Sequence, residues 1–278
     1  MDWNNSYQSR VTSALEAVAV IQSGQRIFLS GNVSVPQLLL AALTERAPKL
    51  RDVEICQALT AGPAPQVAPE MDGHLRVNTT FISANVRNEV QEGRADLTPV
   101  LLSEFPLLFK NGILPVDAAL IQVSPPDEHG FCSLGVEVGL TKTPAESARV
   151  ILAEVNEQMP RTLGDSFLHV SRLTDMVPAN YPIPEMSMAG DSASEVVEKI
   201  AGHIAELIPD GATMRMGIGA IPDAVLKYLF QKRDLGIHTE LFSDGVIDLV
   251  EAGVLSGTLK SIHLGKIVGG FILGTQRL

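Results

Sequence analysis

Cysteine is scarce: the chain of 278 residues carries two, Cys56 and Cys132. They lie far apart and form no CxxC pair and no Cys/His cluster. That argues against a metal site and for reduced, cytoplasmic core thiols. Long apolar runs are missing too. None reaches the ~18–20 residues that a membrane span needs, and the polar start MDWNNSYQSR lacks the apolar stretch of a secretory signal. Positive charge is in deficit. A net charge of −11 argues against nucleic acid or an anionic membrane as a general partner, while leaving room for a local basic pocket. Short-period repeats and low-complexity tracts are absent.

What the chain has is apolar content, 45% of residues, enough for a sizeable core. At roughly 100–200 residues per domain the length fits one large domain or two smaller ones. The pattern is repeated β/α. Val11 to Ser23 carries a helical stripe closed by Gly24. Arg26 to Ser30 reads as a strand broken by Gly31-Asn32, and Pro36 opens a helix that ends before Pro48. Strands are expected over Asp52 to Leu59, Leu75 to Ile82, Ala118 to Val123 and Val150 to Val155, with helices over Ala84 to Glu92, Ser103 to Gly112 and Thr141 to Arg149. Ser103 is the expected cap of its helix. Continuous apolar strands such as Ala118 to Val123 mark burial on both faces, so the fold class is α/β with an open, mainly parallel sheet. Tyr181 to Asp191 is the linker candidate. A long amphipathic helix is expected from Ser192 to about Ile208, and a last strand over Lys266 to Leu273.

The chemistry concentrates between Met214 and Asp248. Ala212 to Met216 reads as a strand, and Gly217-Ile218-Gly219 as a turn where backbone N–H groups can approach a ligand. Pro222 and Asp223 then suit the first turn of a helix. Such a loop can hold a phosphate or an oxyanion. Further on, Gly236-Ile237-His238-Thr239-Glu240 ends in a carboxylate just before the Ser243-Asp244-Gly245 turn. The pattern suggests a carboxylate nucleophile beside a glycine-loop oxyanion site.

The segments MGIGAIPDAVL and LGIHTELFSDGVIDLVEAGVL resemble the acetyl-CoA hydrolase/transferase family, and within it the 4-hydroxybutyrate CoA-transferase type. The resemblance continues upstream through FISANVRNEVQEGRADLTPVLLSEFPLLF, IQVSPPDEHGFCSLGVEVGLTK and VILAEVNEQMPRTLGDSFLHVS. It implies two related open α/β domains with the active site in the cleft between them. Here these would be a full N-terminal domain, 1–188, and the first part of a second, 189–278, since family members continue with a further glycine-rich segment. It implies ping-pong transfer of CoA between a short-chain acyl-CoA and a free carboxylate, with no permanently bound cofactor. Glu240 falls on the family's nucleophile, and Gly217, Ile218, Gly219, Ala220 and Ile221 on its CoA-binding loop. A cytoplasmic homo-oligomer is implied as well.

Other readings stand beside this one. The same site with water as acceptor is an acyl-CoA hydrolase. An incomplete chain would bind at most part of CoA. A dinucleotide-binding dehydrogenase is disfavoured because Pro222 occupies the third glycine position of GxGxxG. His238 would share a strand face with Glu240, and His129 could line a pocket or serve its own loop. Arg87 could contact a carboxylate or phosphate, or pair with Glu89 or Glu92. Glu104 and Glu154 are rival carboxylates: Glu104 suits a helix first turn, whereas Glu154 interrupts a buried strand and needs a partner.

Overall fold

Strands and helices alternate along the computed structural model, which describes residues 3–186, 194–217 and 219–278. The chain divides into two units, Met1–Pro184 and Glu185–Leu278. Among the described residues of the first unit, seven strands form one parallel sheet. They are β1 (Arg26–Leu29), β2 (Val53–Gln57), β3 (Leu75–Thr79), β4 (Asp96–Leu97), β5 (Ala118–Val123), β7 (Val150–Asn156) and β9 (Asp175–Ala179). A short antiparallel pair, β6 (Phe131–Ser133) with β8 (Phe167–His169), stands apart from it.

Successive strand side chains point to opposite faces, and both faces here are covered. Ile27, Leu29, Ile55, Val77 and Leu120 meet Leu39, Leu40 and Leu43 of α3 (Gln37–Arg46) and Ala17 of α2 (Ala14–Ala17). Phe28, Cys56, Ala119, Ile121 and Ala153 meet Phe105 and Phe109 of α5 (Phe105–Lys110) and Ala145 of α6 (Lys142–Ser147). All six residues of β5 are buried, as its unbroken apolar sequence requires. The remaining helices of this unit are α1 (Trp3–Gln8) and α4 (Arg87–Gln91).

The strand order is β4-β3-β2-β1-β5-β7-β9. Connections therefore reverse direction between β1 and β5, and the crevice at a parallel sheet's carboxyl end lies at such a point. The chain leaves β1 there through Ser30-Gly31-Asn32. A Cβ on Gly31 would sit 2.3 Å from the Ala58 carbonyl oxygen. Asn32 next to it has φ +50° and donates its N–H to the Leu59 carbonyl. Both sides of this contact are backbone, so no rotamer change relieves it. Gly31→Ala is expected to cost about 3 kcal/mol, seen in a denaturant titration as a lower midpoint at unchanged slope. A wild-type midpoint would show that the β1–β2 connection yields freely.

Several boundaries differ from expectation. Ser103 makes no cap; Glu104 holds the N-cap position of α5 and its side chain makes no cap hydrogen bond. Helix α2 is cut to one turn, started by a reciprocal Ser13–Glu16 capping box and continued as a 3₁₀ turn over Val18–Val20. The expected strand over Lys266 to Leu273 shrinks to β13 (Phe271–Ile272) and a single bridge between His238 and Val268. The sequence pattern also missed β8 and β9, whose Pro178 and polar neighbours hide them.

The second unit contains α7 (Glu195–Leu207), β10 (Thr213–Met214), α8 (Ala220–Lys227), β11 (Gly236–Ile237), β12 (Leu241–Phe242), α9 (Gly245–Glu251) and β13. Ser194 caps α7 by accepting from the Val197 N–H. The expected start at Ser192 and the part of the expected linker over 187–191 lie outside the described residues. Strand β10 pairs with β11, and β12 with β13, both parallel. Ala201, Ala205, Leu226, Leu229, Ile237, Val246 and Leu249 form the core of this unit. No described helix is long and apolar enough to cross a membrane.

Candidate active site

The strand β10 delivers the chain to Arg215 and Met216 and then into the glycine loop. Gly219 has φ +127°, open to glycine and rare for other residues, and it is the N-cap of α8. Gly217, Ala220 and Ile221 flank it; Ile218 lies outside the described residues. Pro222 sits inside the first turn of α8 with Asp223 beside it.

The loop is bound to the neighbouring strand segment by one threonine. The Thr239 hydroxyl accepts from the Met216 N–H and donates to the Met216 carbonyl, both at 2.9 Å. The Thr239 N–H in turn bonds the Val268 carbonyl. Backbone pairing continues one residue on, where the Glu240 carbonyl accepts from Gly270 and Phe271. Thr239 is buried, so its neighbour Glu240 points the other way and is 26% exposed. Its carboxylate meets Arg215: Nη2 lies 2.7 Å from each oxygen. A carboxylate nucleophile candidate and the start of the glycine loop are thus held together by backbone and one ion pair.

Beside the loop lies a cavity of about 400 Å³ lined by Ile204, Leu207, Met214, Met216, Gly217, Ile221 and Pro222 among others. Its wall is largely apolar and includes Arg215. A separate cavity of about 240 Å³ is edged by Asp223, Asp244 and Asp248 with Arg277. Its carboxylates make it a poor seat for a phosphorylated ligand. The Ser243 hydroxyl donates to Asp223, tying the first turn of α8 to the Ser-Asp-Gly turn.

The other sequence candidates go elsewhere. His238 is exposed and stacks edge-to-face on His263 at 5.9 Å. His129 is 74% exposed, close to Glu128. Glu89 and Glu92 pair with Arg94, not with Arg87. Glu104 is exposed. Glu154 does find a partner. It is buried, with the Tyr181 hydroxyl donating at 2.5 Å and the Leu39 N–H of α3 at 2.6 Å. Burial pushes its carboxyl up to about 7 against these hydrogen bonds. Cys56 and Cys132 are buried and pushed up to about 12, mainly by desolvation, so neither is a nucleophile near neutral pH. No cluster of three or more His, Cys, Asp or Glu able to hold a metal occurs among the described residues.

Two notable residues escaped the sequence reading, one at this site and one in the first unit. Arg215 is the lone basic residue between two methionines just before the loop, and only the fold sets it against Glu240. Glu137 is fully buried after β6, bonded to the Asn32 side-chain amide and to the Leu140 N–H. Burial raises it to about 8. Its sequence signal was a single acid inside the apolar run LGVEVGL.

Comparison with known proteins supplies context. A family profile for the acetyl-CoA hydrolase/transferase N-terminal domain matches residues 1–189. A 4-hydroxybutyrate coenzyme A transferase of Clostridium kluyveri is 44% identical over 278 residues, which is 100% of this chain and 64% of that protein. A succinyl-CoA:acetate/propanoyl-CoA:succinate CoA transferase of Fasciola hepatica is 44% identical over 266 residues, 95% of this chain and 55% of the relative. The crystal structure of 4-hydroxybutyrate CoA-transferase from Porphyromonas gingivalis superposes with a TM-score of 0.88 at 36% identity, covering 100% of this chain and 66% of that one. The chain spans less than two thirds of the length of these relatives.

Proposed function

The chain belongs to the acetyl-CoA hydrolase/transferase family, and on that premise we propose that it moves CoA between a short-chain acyl-CoA and a free carboxylate, with Glu240 as nucleophile. The observation that carries this reading is the Glu240 carboxylate, partly exposed, held by Arg215 next to the glycine loop. A carboxylate is a competent nucleophile when it is ionised and fixed at the thioester carbonyl.

The steps balance without any added proton. A Glu240 oxygen attacks the thioester carbonyl and CoA leaves as thiolate, giving a mixed anhydride. The thiolate attacks the Glu240 carbonyl of that anhydride and the acyl group leaves as its carboxylate. The result is a glutamyl-CoA thioester, and an incoming carboxylate reverses the sequence. Each addition passes through an oxyanion, which the backbone N–H groups around Gly217 to Ile221 would stabilise. One such donor contributes about 3–4 kcal/mol in comparable sites. The apolar cavity beside the loop suits the uncharged arm of CoA, and acyl-CoA acts here as substrate, not as a resident cofactor. The names of the relatives point to acetate, succinate and 4-hydroxybutyrate as the acyl class.

The exposure of Glu240 favours one second reading, hydrolysis, in which water discharges the same intermediate. Intact mass after incubation with acetyl-CoA tests the reading. A CoA adduct, lost on borohydride reduction and mapped to the peptide containing Glu240, is the expected result. A folded chain that gains no adduct, or gains it at another residue, would overturn it. Discharge of the adduct by acetate faster than by water makes the chain a transferase, and the reverse a hydrolase. The same reading makes it a homo-oligomer, a point that native mass spectrometry decides.

A further inference from the structure

Arg215 makes an unusual bond for a guanidinium. It has five N–H donors, yet one nitrogen, Nη2, serves both oxygens of Glu240. Among the described residues, Nε and Nη1 have no hydrogen-bond partner, and the side chain is 65% exposed. The cation is therefore neutralised by one neighbour while most of its hydrogen-bonding fork stays open.

That neighbour is the group whose charge the proposed reaction removes. While Glu240 is a carboxylate, an approaching anion meets a pair that carries no net charge. Once Glu240 becomes the glutamyl-CoA thioester it is uncharged, and the positive charge of Arg215 is left without a counter-ion. Its free nitrogens can then take a second carboxylate through two parallel N–H···O bonds, the geometry a guanidinium fits best. We propose that Arg215 is the receptor for the acceptor carboxylate, created when CoA is loaded on Glu240. This rests on the reading of Glu240 given above and adds to it the origin of the order of binding. The acceptor is attracted only after the first product has left, with no conformational change needed. The acceptor class is thereby fixed as an anion, since water and neutral nucleophiles gain nothing from the uncovered cation.

The test compares two nucleophiles on one intermediate. Wild type, Arg215→Gln and Arg215→Lys are loaded with acetyl-CoA, freed of excess substrate, and discharged with acetate or with neutral hydroxylamine. The ratio of acetate to hydroxylamine rates is expected to fall about tenfold in Arg215→Gln, through a higher KM for acetate, and to recover in part in Arg215→Lys, which keeps the charge. Added salt should lower the wild-type ratio by screening. Equal loss of both rates in Arg215→Gln would overturn the proposal, because a merely structural arginine affects both alike.

A second arm needs no turnover. Phenylglyoxal labelling of Arg215, mapped by peptide mass, should be faster in Glu240→Gln than in wild type, and acetate should slow it only in Glu240→Gln. If wild type forms no adduct, the transferase reading falls and this arm alone decides the receptor. Protection by acetate in Glu240→Gln supports it, and labelling indifferent to acetate rejects it.

Discussion

Glutamine at position 240 is expected to slow CoA exchange by at least about a thousandfold, the scale of loss when a covalent nucleophile is removed. The amide matches the carboxylate in size but offers no anionic oxygen to attack a thioester. It also cannot be restored by the thiolate as a leaving carboxylate, so both halves of the proposed cycle stop. Little stability should change with it. Arg215 and Glu240 form a pair open to solvent, and such pairs contribute about 0–1 kcal/mol. Isotope exchange between labelled acetate and acetyl-CoA measures the rate, with a thermal melt to show that the variant is folded. Aspartate at 240 keeps the charge but withdraws it by one methylene, so it should fall between wild type and glutamine. Exchange at the wild-type rate in Glu240→Gln would remove Glu240 from the mechanism.

The second large effect concerns stability. Glu137 has no exposed surface and its carboxyl is raised to about 8 by burial, with the Leu140 N–H opposing. A carboxyl of raised pKa holds its proton more tightly in the folded chain than in the unfolded one. Its favourable contribution is complete below the ordinary value of 4.5 and is withdrawn as the pH climbs from there through about 8. At ~1.4 kcal/mol per pH unit the loss across this window is on the order of 5 kcal/mol. Glu154, raised to about 7, acts in the same direction. Carboxyls with lowered values, such as Glu16 at about 2 and Asp96, lose their contribution only in stronger acid. The first unit should therefore be more stable at pH 5.5 than at pH 8.

Glu137→Gln should raise the melting temperature at pH 8 by roughly 10 °C and flatten its pH dependence. The amide can fill the same bonds. Its carbonyl accepts from Leu140, and its NH₂ can donate to Asn32 Oδ1 once that amide turns over, an oxygen that now has no partner. Scanning calorimetry from pH 5.5 to 8.5 checks both points. A wild type more stable at pH 8 than at pH 5.5 would show that Glu137 is ionised and satisfied where it lies.

The sequence was most readable where one physical demand dominated. Ala118 to Val123 is apolar throughout because both faces of its strand are covered, and the observed strand has those bounds. Gly93 closes the helical turn of α4 with positive φ, whereas Gly24, also at positive φ, lies in the turn before β1 and closes no helix. Legibility failed where tertiary pairing overrode local pattern. Asp175 to Ala179 contains a proline, yet it closes the sheet as an edge strand, where a missing N–H is tolerated. Lys266 to Ile267 looks strand-like, but Lys260 donates to the Lys266 carbonyl and that segment is a loop. At the candidate site, the placement of Glu240 before a turn could be read directly. Its partner could not, because Arg215 is separated from it by a helix. Tyr181, taken as part of a linker, is instead fastened to Glu154 and Asn156, since a hydroxyl that buries well has the same letter as one that does not.

The strand order has a consequence for synthesis. β1 lies between β2 and β5, so one of its edges closes early, while the other waits for residues 118–123 to leave the ribosome. At ~5–20 residues per second that delay is on the order of ten seconds. Throughout it, the unpaired edge of Arg-Ile-Phe-Leu faces solvent as an open template. A nascent chain of this protein should therefore be a client for cotranslational chaperones until β5 docks, and arrest of translation just before Ala118 should give the species most prone to aggregate.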